Sequence, residues 1–374
     1  MKALFLTSSY PVPEFPQLGI FVREHARAAS LHAEVAVAHL DRTPDVRSIH
    51  VEDGDDPDFQ SVRVRYPASP ALVSYVSNVA AALLAYRRLR KRGFEPDVIH
   101  AHFFLAGAPA IVLGRLYRKP VVVTEQWSVF LPEDPMRLSA AMTRVARFTY
   151  DHADAVMPVS EALRRGIHAT GADANFLVVP NVVDPSRFHT DGAVTTSGRL
   201  IGVGNLYDAK GWEHLLDAIA LLRDRGHTVH LDLYGDGVLR RDLEARASRL
   251  GIESLVSFHG WRPKEEVAER LRRSDLFVIT SRYDSNPCAV IEALASGAPV
   301  VGTSVGGIPE MVDASSGLLA APGSAESIAA AIETALGRTW DREAIAQSAR
   351  DRYGLERVGS DFAAVYEDAV ARKR

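Results

Sequence analysis

The stretch DLFVITSRYDSNPCAVIEALASGAPVVGTS, residues 275–304, combines a strand, a turn, a helix and a second strand. The apolar runs LFVI and PVV have the length and composition of buried strands. Between them, Asn286 is a favourable N-cap, Pro287 a favourable first helical residue and Gly297 a favourable end of the helix. Two apolar strands that flank a helix predict a βαβ unit of a parallel sheet.

The same alternation of strands and helices extends in both directions from this unit and predicts an α/β protein with two doubly wound domains. Strand-like runs in the first half are KALFLT, AEVAVAHL, SVRVRY, DVIHAH, PVVVTE, DAVMPVS and NFLVVP, with helices near 21–31 and 77–92. The second half restarts with GRLIGVG and continues with TVHLDLYG, LVSFHG, DLFVITS and PVVGTS, with helices near 212–222, 239–250 and 264–273.

A change in composition marks the domain boundary. The segment 180–198 is rich in Pro, Gly, Ser, Thr and Asp and has little periodicity, which is typical of a linker. We therefore expect a first domain at 1–182, a linker at 183–197 and a second domain at 198–354. The last segment, 355–374, has a helical apolar stripe, and we expect it to pack back on the first domain.

Composition narrows the class of protein. A chain of 374 residues is too long for one core, and its formal charge of −4 gives no electrostatic case for binding nucleic acid. A single cysteine, Cys288, excludes an intramolecular disulfide and fits a reducing compartment. The opening MKALFLTSSYP is too short for a signal-peptide core, and no apolar run reaches the roughly 18 residues of a membrane span. We expect a cytoplasmic protein.

Ligand-capable residues follow four strands of the second half. In open α/β sheets ligands bind outside the carboxyl ends of the strands. The residues at these ends are Asn205 and Lys210, Gly235, His259, and the turn that contains Asp284. Each alone fits ordinary turn chemistry, but four along one edge favour a ligand site. Lys210 at a helix start would add a full charge to the positive end of the helix dipole and hold a phosphate.

The carboxylate of Glu292 has an unusual setting on its predicted helix. Val290, Ile291 and Leu294 form the buried stripe, and Glu292 points away from it among small, uncharged residues. Two adjacent ribose hydroxyls would match the two acceptor oxygens of this carboxylate. Asp284 would repel a phosphate and is expected to accept hydrogen bonds from sugar hydroxyls instead. The alternative is a helix that merely lacks surface charge.

The stretch SRYDSNPCAVIEALASGAPVVGTSVGGIPEMV resembles the signature of the family-4 retaining glycosyltransferases, which have the GT-B fold of two Rossmann-like domains facing across a cleft. PQLGIFVREHA, PDVIHAHF, VVVTEQWS, GVGNLYDAKG, YGDG and FHGW follow in the family's order. The resemblance implies a nucleoside-diphosphate-sugar donor and a hydroxyl acceptor, with no metal and no other cofactor. Its implied donor and catalytic residues are Gly19, Lys210, Asp284, Asn286, Pro287, Cys288 and Glu292, with His102 facing the cleft near the acceptor.

Two positions depart from the family pattern. Asn205 replaces an arginine that usually helps to bind the diphosphate, and Gln126 replaces a histidine near the transferred sugar. Lys210 must then stabilise more of the leaving group's charge. The resemblance implies transfer with retention, in which the leaving phosphate takes the acceptor's proton, so no protein base is assigned.

Alternatives of other classes remain at this stage. A nicotinamide oxidoreductase needs G-x-G-x-x-G, but Tyr207 occupies the third position after GVG. A non-catalytic sugar-nucleotide-binding protein, an epimerase and a phosphorylase all share the predicted architecture. The basic segment at 86–93 predicts peripheral contact with an anionic membrane surface, on the inner face, or else a solvated helix end.

Overall fold

The computed structural model describes residues 1–68, 71–191 and 198–373, and of residues 71–75 the backbone alone. The chain forms two compact units. The first comprises Met1–Phe130, Met136–Val182 and Leu355–Arg374, and the second comprises Leu131–Pro135 and Val183–Gly354. Each unit contains one sheet of mainly parallel strands with helices packed on it, which confirms the predicted α/β class with two Rossmann-like domains.

The first unit is built on a seven-stranded sheet of order β3-β4-β2-β1-β5-β6-β7. The strands are β1 (Lys2–Thr7), β2 (Glu34–Thr43), β3 (His50–Asp53), β4 (Gln60–Pro67), β5 (Val98–His102), β6 (Val121–Glu125) and β7 (Ala155–Pro158). All neighbours pair in parallel except β3, which is antiparallel to β4. The helices are α1 (Ile20–Ser30), α2 (Ala71–Lys91), α3 (Phe103–Tyr117), α4 (Ala140–His152), α5 (Glu161–His168) and α13 (Leu355–Lys373).

Strand order in the first unit reverses at β1, which lies between β2 and β5. In register, Thr7 of β1 is opposite His102 of β5, and His102 is opposite Thr124 of β6. The carboxyl ends of these three strands therefore lie side by side. Where strand order reverses, the loops that follow the two adjacent strands run to opposite faces of the sheet. The crevice between these loops is a common ligand-binding place in such folds.

The C-terminal helix α13 packs against α1 of the first unit. Its predicted apolar stripe is confirmed, since Val358, Phe362, Val365, Tyr366 and Ala369 are all buried. The Tyr366 hydroxyl also reaches the sheet, where it lies 2.7 Å from Nδ1 of a buried histidine of β5.

The second unit has a six-stranded parallel sheet of order β10-β9-β8-β11-β12-β13. The strands are β8 (Arg199–Val203), β9 (His230–Tyr234), β10 (Val256–Gly260), β11 (Leu276–Ile279), β12 (Val300–Thr303) and β13 (Gly317–Ala320). The helices are α6 (Trp212–Asp224), α7 (Arg240–Arg249), α8 (Lys264–Arg273), α9 (Cys288–Ala295), α10 (Ile308–Met311), α11 (Ala325–Leu336) and α12 (Arg342–Tyr353). Strand order reverses between β8 and β11.

Helical periodicity correctly identified the buried faces of this unit. The predicted stripe of α6 is fully buried: Trp212, Leu215, Leu216, Ile219 and Leu222. The stripe of α9, Val290, Ile291 and Leu294, is buried as well. The buried residues of α6 and α9 belong to two separate core clusters, each of which includes residues of the sheet.

Several sequence-based predictions were wrong in detail. The run NFLVVP forms one isolated bridge beside the edge strand β7 rather than a strand of its own. The charged strand β3 was missed because it forms by pairing with β4 and has no apolar pattern. Helix α9 begins one residue later than predicted, with Pro287 rather than Asn286 at the N-cap.

The predicted linker is described only up to residue 191. Val183 pairs with Gly354 in a short parallel bridge, and Phe188 is buried in a core cluster of the second unit. These two residues therefore belong to a packed unit, although the composition of the segment is that of a linker.

Candidate functional site

Lys210 and Asp284 meet where the strand order of the second unit reverses. Lys210 ends the loop that follows β8, and Asp284 lies in the loop that follows β11. The Nζ atom of Lys210 lies 2.5 Å from Oδ2 of Asp284, and the Ser281 hydroxyl lies 3.4 Å from the same oxygen. Both side chains of the pair keep part of their surface exposed. The structure thus brings together two site residues that the sequence separates by 74 positions.

Hydrogen bonds join these two loops next to the Lys210–Asp284 pair. The Thr280 hydroxyl lies 3.0 Å from the carbonyl oxygens of Lys210 and Gly211, and the Arg282 amide donates to the Ala209 carbonyl at 2.8 Å. Gly211 has φ +59°, and a Cβ atom there would lie 2.5 Å from the Thr280 carbonyl oxygen. Only glycine fits this position, so the approach of the Lys210 loop to β11 depends on it.

Helix α9 presents Glu292 from the same strand end. Asn286, Pro287 and Cys288 form the entry to this eight-residue helix, and Asn286 is nearly buried. Glu292 is 8 % exposed, and its Oε1 accepts a hydrogen bond from Lys264 Nζ at 2.9 Å. The expectation of an uncharged setting for Glu292 was therefore wrong, because a lysine from another helix neutralises it.

Lys264 is a site residue that sequence reasoning missed. It is the first residue of α8, directly after Pro263, and its Nζ also lies 5.9 Å from the ring centroid of Phe188. A lysine at a helix start opposes the helix dipole. This disfavoured position is a signal that the sequence offers, because Lys264, like Lys210, stands at a helix start.

The ends of β9 and β10 hold Gly235 and His259. Gly235 follows β9, and its amide donates to the Gly260 carbonyl at 2.9 Å. The His259 ring stacks on Tyr234 at 4.4 Å, and its Nε2 lies 2.6 Å from Oδ1 of Asp232. The His259 ring is therefore held on one face by Tyr234 and at its Nε2 edge by Asp232. These contacts hold His259 at the strand end where the sequence places it.

Asn205 lies on the loop after β8. Its side chain is exposed, and its backbone carbonyl accepts a hydrogen bond from the Trp212 indole at 2.9 Å. The loop is thus anchored to the buried start of α6 through the backbone of Asn205.

In the first unit, Gly19 forms the N-cap of α1. Its φ is +63°, and a Cβ atom would lie 2.3 Å from the Ser9 carbonyl oxygen. The loop after β1 therefore passes close to the start of α1. Any residue larger than glycine at position 19 would push this loop away from the helix. The first-turn amides of α1 lie at this loop.

His102, at the end of β5, is fully buried, whereas the resemblance implies that it faces the acceptor. Its ring stacks on His100 at 4.5 Å and lies 5.1 Å from Phe5 and 5.6 Å from His25. Within the part of the chain that the structure describes, neither ring nitrogen has a hydrogen-bond partner. Burial lowers the pKa of His102 well below its usual value, and the neighbouring imidazoles lower it further.

Gln126 follows β6 and is half-buried. Its side-chain nitrogen lies 3.3 Å from Nδ1 of His25, and its backbone amide donates to the carboxylate of Glu125 at 3.0 Å. The structure brings Gln126, His25 and His102 together at the carboxyl ends of β5 and β6. Glu125 and His25 were not predicted as members of this cluster.

The described part of the chain contains no group of three or more His, Cys, Asp or Glu residues arranged to hold a metal. Among the helices described, none is long and apolar enough to cross a bilayer. In the basic segment at the end of α2, Arg88 and Arg92 pair with Asp53, and Arg90 pairs with Glu95.

Sequence comparison connects both units to one family. Residues 21–182 match the family described as glycosyl transferase 4-like domain, and residues 197–338 match glycosyl transferases group 1. The chain belongs to the family-4 glycosyltransferases. This membership agrees with the resemblance noted from the motifs and makes the chain a glycosyltransferase rather than an oxidoreductase.

Individual relatives align over most of the chain. The 2-deoxystreptamine glucosyltransferase of Streptomyces kanamyceticus is 28 % identical over 334 residues, which is 79 % of this chain and 83 % of the relative. The glycogen synthase of Mycobacterium tuberculosis is 27 % identical over 97 % of this chain and 91 % of its own. The crystal structure of Anabaena Alr3699/HepE in complex with UDP superimposes with a TM-score of 0.75 at 22 % identity, covering 97 % of this chain and 99 % of that one. This last likeness establishes the GT-B fold.

Proposed function

We propose that this glycosyltransferase is a retaining, metal-independent enzyme that moves a sugar from a nucleoside-diphosphate-sugar to a hydroxyl acceptor. The observation that carries the proposal is the Lys210–Asp284 pair at the point where strand order reverses, with Glu292 presented from the helix that follows. One cation and two carboxylates at a single strand end suit a ligand that has both phosphates and hydroxyls.

Lys210 is assigned to the leaving diphosphate. Its ammonium is neutralised by Asp284. A bound diphosphate would take the place of Asp284 beside this ammonium, and Asp284 would then be free to accept hydrogen bonds from the hydroxyls of the sugar. Charge that develops on the diphosphate during cleavage is stabilised by Lys210.

Glu292 is assigned to the ribose of the donor. Its carboxylate is nearly buried, and one oxygen is held by Lys264. A fixed carboxylate loses little entropy when it accepts ribose hydroxyls, which favours binding. Gly235, His259 and the residues 286–288 line the same strand ends and are assigned to the donor as well.

The proposed transfer step needs no base from the protein. The acceptor oxygen forms a bond to the anomeric carbon on the face that the diphosphate leaves. The bond between that carbon and the phosphate oxygen breaks, and its electron pair stays with the diphosphate. The acceptor's proton passes to a phosphate oxygen. The chain contributes positioning and charge stabilisation.

The first unit is assigned to the acceptor. His102 and Gln126 are its proposed contributors, although the burial of His102 restricts that residue to an indirect role in this conformation. Gly19 is assigned to the diphosphate of the donor. The S. kanamyceticus relative is named a 2-deoxystreptamine glucosyltransferase and the M. tuberculosis relative a glycogen synthase. A role in glycoside, glycolipid or cell-surface polysaccharide synthesis follows as part of the proposal.

A thermal-shift panel of UDP-, GDP-, ADP- and dTDP-sugars tests donor binding. A donor at about 100 times its dissociation constant adds roughly 2.7 kcal/mol to the free energy of unfolding. Glu292→Ala is expected to abolish the shift, whereas Glu253→Ala, at an exposed glutamate of the same unit, should leave it intact. An unchanged shift in Glu292→Ala would refute the ribose assignment.

Product analysis tests the reaction itself. With a binding donor and a panel of hydroxyl acceptors, NMR of the product reports the anomeric configuration, and retention is expected. Addition of EDTA should not change the rate. A protein that binds donor but forms neither product nor free sugar would be the non-catalytic alternative.

Peripheral membrane contact through residues 86–93 is a separate part of the proposal. Arg87 and Lys91 are exposed there, and three further arginines are paired with Asp53 and Glu95. Each unpaired cation near an anionic surface contributes about 1 kcal/mol. Sedimentation with anionic vesicles should weaken in the double variant Arg87→Glu, Lys91→Glu, and zwitterionic vesicles serve as the control.

A further inference from the structure

Glu125 is a buried carboxylate to which the proposed reaction assigns no role. It is the last residue of β6, and its side chain has no exposed surface. Four donors surround it. The amides of Gln126 and Trp127 donate to Oε1, each at 3.0 Å, while the Phe104 amide at 2.9 Å and the Tyr150 hydroxyl at 2.7 Å donate to Oε2. Both oxygens are thus fully used within the first unit.

The two oxygens of this carboxylate hold two different loops. Oε1 binds the turn that follows β6 and carries Gln126, whereas Oε2 binds the first turn of α3, directly after His102 and the end of β5. One side chain therefore couples the carboxyl ends of two neighbouring strands. A carboxylate is the only side chain with enough acceptor capacity for four donors in this position.

The turn held by Oε2 is strained. Phe103 has φ +66°, a left-handed conformation that a bulky residue rarely adopts. It lies between His102 and Phe104, whose amide is bound by Glu125. Such backbone strain persists only where the surroundings over-determine it. The bond from Phe104 to Glu125 is one such restraint, and the edge-on contact between the Phe103 and Phe21 rings, at 5.9 Å, is another.

Aromatic packing surrounds the same two loops. The Phe104 and Trp127 rings stack at 5.9 Å, and the Phe130 ring meets both Phe104 and Tyr150 edge-on. Packing of this kind excludes water from the carboxylate. Burial raises the pKa of the Glu125 carboxyl, and its four hydrogen bonds act in the opposite direction.

We infer that Glu125 is a positioning residue of the transfer reaction, which holds the Gln126 turn and the strained His102–Phe104 turn in one fixed geometry. The inference rests on the proposed function, which assigns these turns to the acceptor and the transferred sugar. Small displacements of positioned groups cost large factors in rate. The residue acts through the loops and touches no substrate itself.

The variant Glu125→Gln separates this role from simple packing. A glutamine has the same shape but only one acceptor oxygen, so its amino group must face one of the two sets of donors. If the glutamine amino group faces Tyr150, it can donate to the hydroxyl oxygen of Tyr150, but it also meets the N–H group of Phe104, which is another donor. The Phe104 amide then loses its acceptor, and the strained His102–Phe104 turn is released. Tyr150→Phe is the matched control, since it removes one donor and leaves all three backbone amides bound.

The measurements are kcat and donor KM for transfer or donor hydrolysis, the melting temperature, and hydrogen exchange at residues 103–105 and 126–127. For Glu125→Gln we expect kcat to fall by about 10–100-fold with donor KM within about threefold, and exchange to accelerate. For Tyr150→Phe we expect a lower melting temperature with kcat within about threefold.

Two results would overturn the inference. One is equal kcat in the two variants well below their melting temperatures, and the other is unchanged exchange at both turns in Glu125→Gln. If the wild-type chain turns over no donor of the panel, the proposed function fails instead. In that case hydrogen exchange alone tests whether Glu125 holds the two turns. Unchanged exchange at residues 103–105 and 126–127 in Glu125→Gln would contradict the inference.

Discussion

The ammonium of Lys210 and the carboxylate of Asp284 form an ion pair of 2.5 Å across the two loops that follow β8 and β11. The pair stands at the one place in the second unit's described sheet where strand order reverses. Its two charges cancel. Under the proposed function, Lys210 would bind the diphosphate and Asp284 the sugar only after the pair separates, so each residue should affect a different kinetic constant.

Lys210→Ala is expected to lower kcat for sugar transfer by about 10²–10³-fold, because the positive charge that stabilises the leaving diphosphate is lost. Asp284→Asn is expected to act mainly on the sugar and to raise donor KM. Steady-state kinetics with the donor found by thermal shift measure both. Arg241→Ala, at an exposed cation of α7, is the control and should match the wild type. A loss below about tenfold in Lys210→Ala would contradict the assignment.

The Lys264–Glu292 pair should contribute measurably to stability, since Glu292 is nearly buried while Lys264 is partly exposed. In a double-mutant cycle of Lys264→Met and Glu292→Gln, urea unfolding should show a coupling energy of about 0.5–1 kcal/mol. Repeating the cycle in high salt should reduce the coupling only in part, because the pair is partly shielded from solvent. Strictly additive effects of the two substitutions would show that the Lys264–Glu292 contact contributes nothing to the free energy of unfolding.

Much of this architecture could be predicted from local sequence patterns. The 3.6-residue periodicity identified the buried faces of α6, α9 and α13, and apolar runs identified the strands. Knowing that the strands are parallel was enough to place Lys210 and Asp284 at one edge of a sheet, because parallel strands share the direction of their carboxyl ends.

What escaped prediction depends on contacts between distant segments. Lys264 reaches Glu292 from 28 positions away, and Glu125 binds Phe104 from 21 positions away. Neither pairing has a periodic signature. His102 was expected at an accessible strand end, but His25 from α1 and Phe5 from β1 cover its ring. Burial of a strand's last residue is decided by what packs over it, which spacing alone does not encode.

Gly19→Ala should destabilise the first unit more than Gly93→Ala does. Both glycines have positive φ, +63° and +85°, so alanine introduces backbone strain at each, on the order of 1 kcal/mol. At Gly93 a new Cβ atom has no neighbour within 4 Å among the described residues, whereas at Gly19 it lies 2.3 Å from the Ser9 carbonyl oxygen. We expect Gly19→Ala to cost at least about 2 kcal/mol more in urea unfolding. Equal losses would mean that the β1 loop moves aside freely.

Acid should weaken the first unit through its buried histidines. Burial lowers the pKa of His25 to about 3 and that of His39 to about 4, from an unfolded value of 6.5. Below pH 6.5 the unfolded chain therefore binds more protons than the folded one, and the free energy of unfolding falls as pH falls. Each such imidazole contributes a slope of about 1.4 kcal/mol per pH unit until its folded pKa is reached.

The stability loss can be assigned to one residue with His25→Gln, which keeps a polar side chain without a titrating group. Urea unfolding at pH 7.5, 6.5, 5.5 and 4.5 should show a shallower pH dependence for this variant, by about one proton between pH 6 and 4. His152→Gln, at an exposed histidine of α4, is the matched control for the loss of one imidazole. If His25→Gln and the wild type lose stability in parallel, His25 takes up a proton in the folded state, and the closed packing of its ring against His102 and Phe362 does not persist in acid.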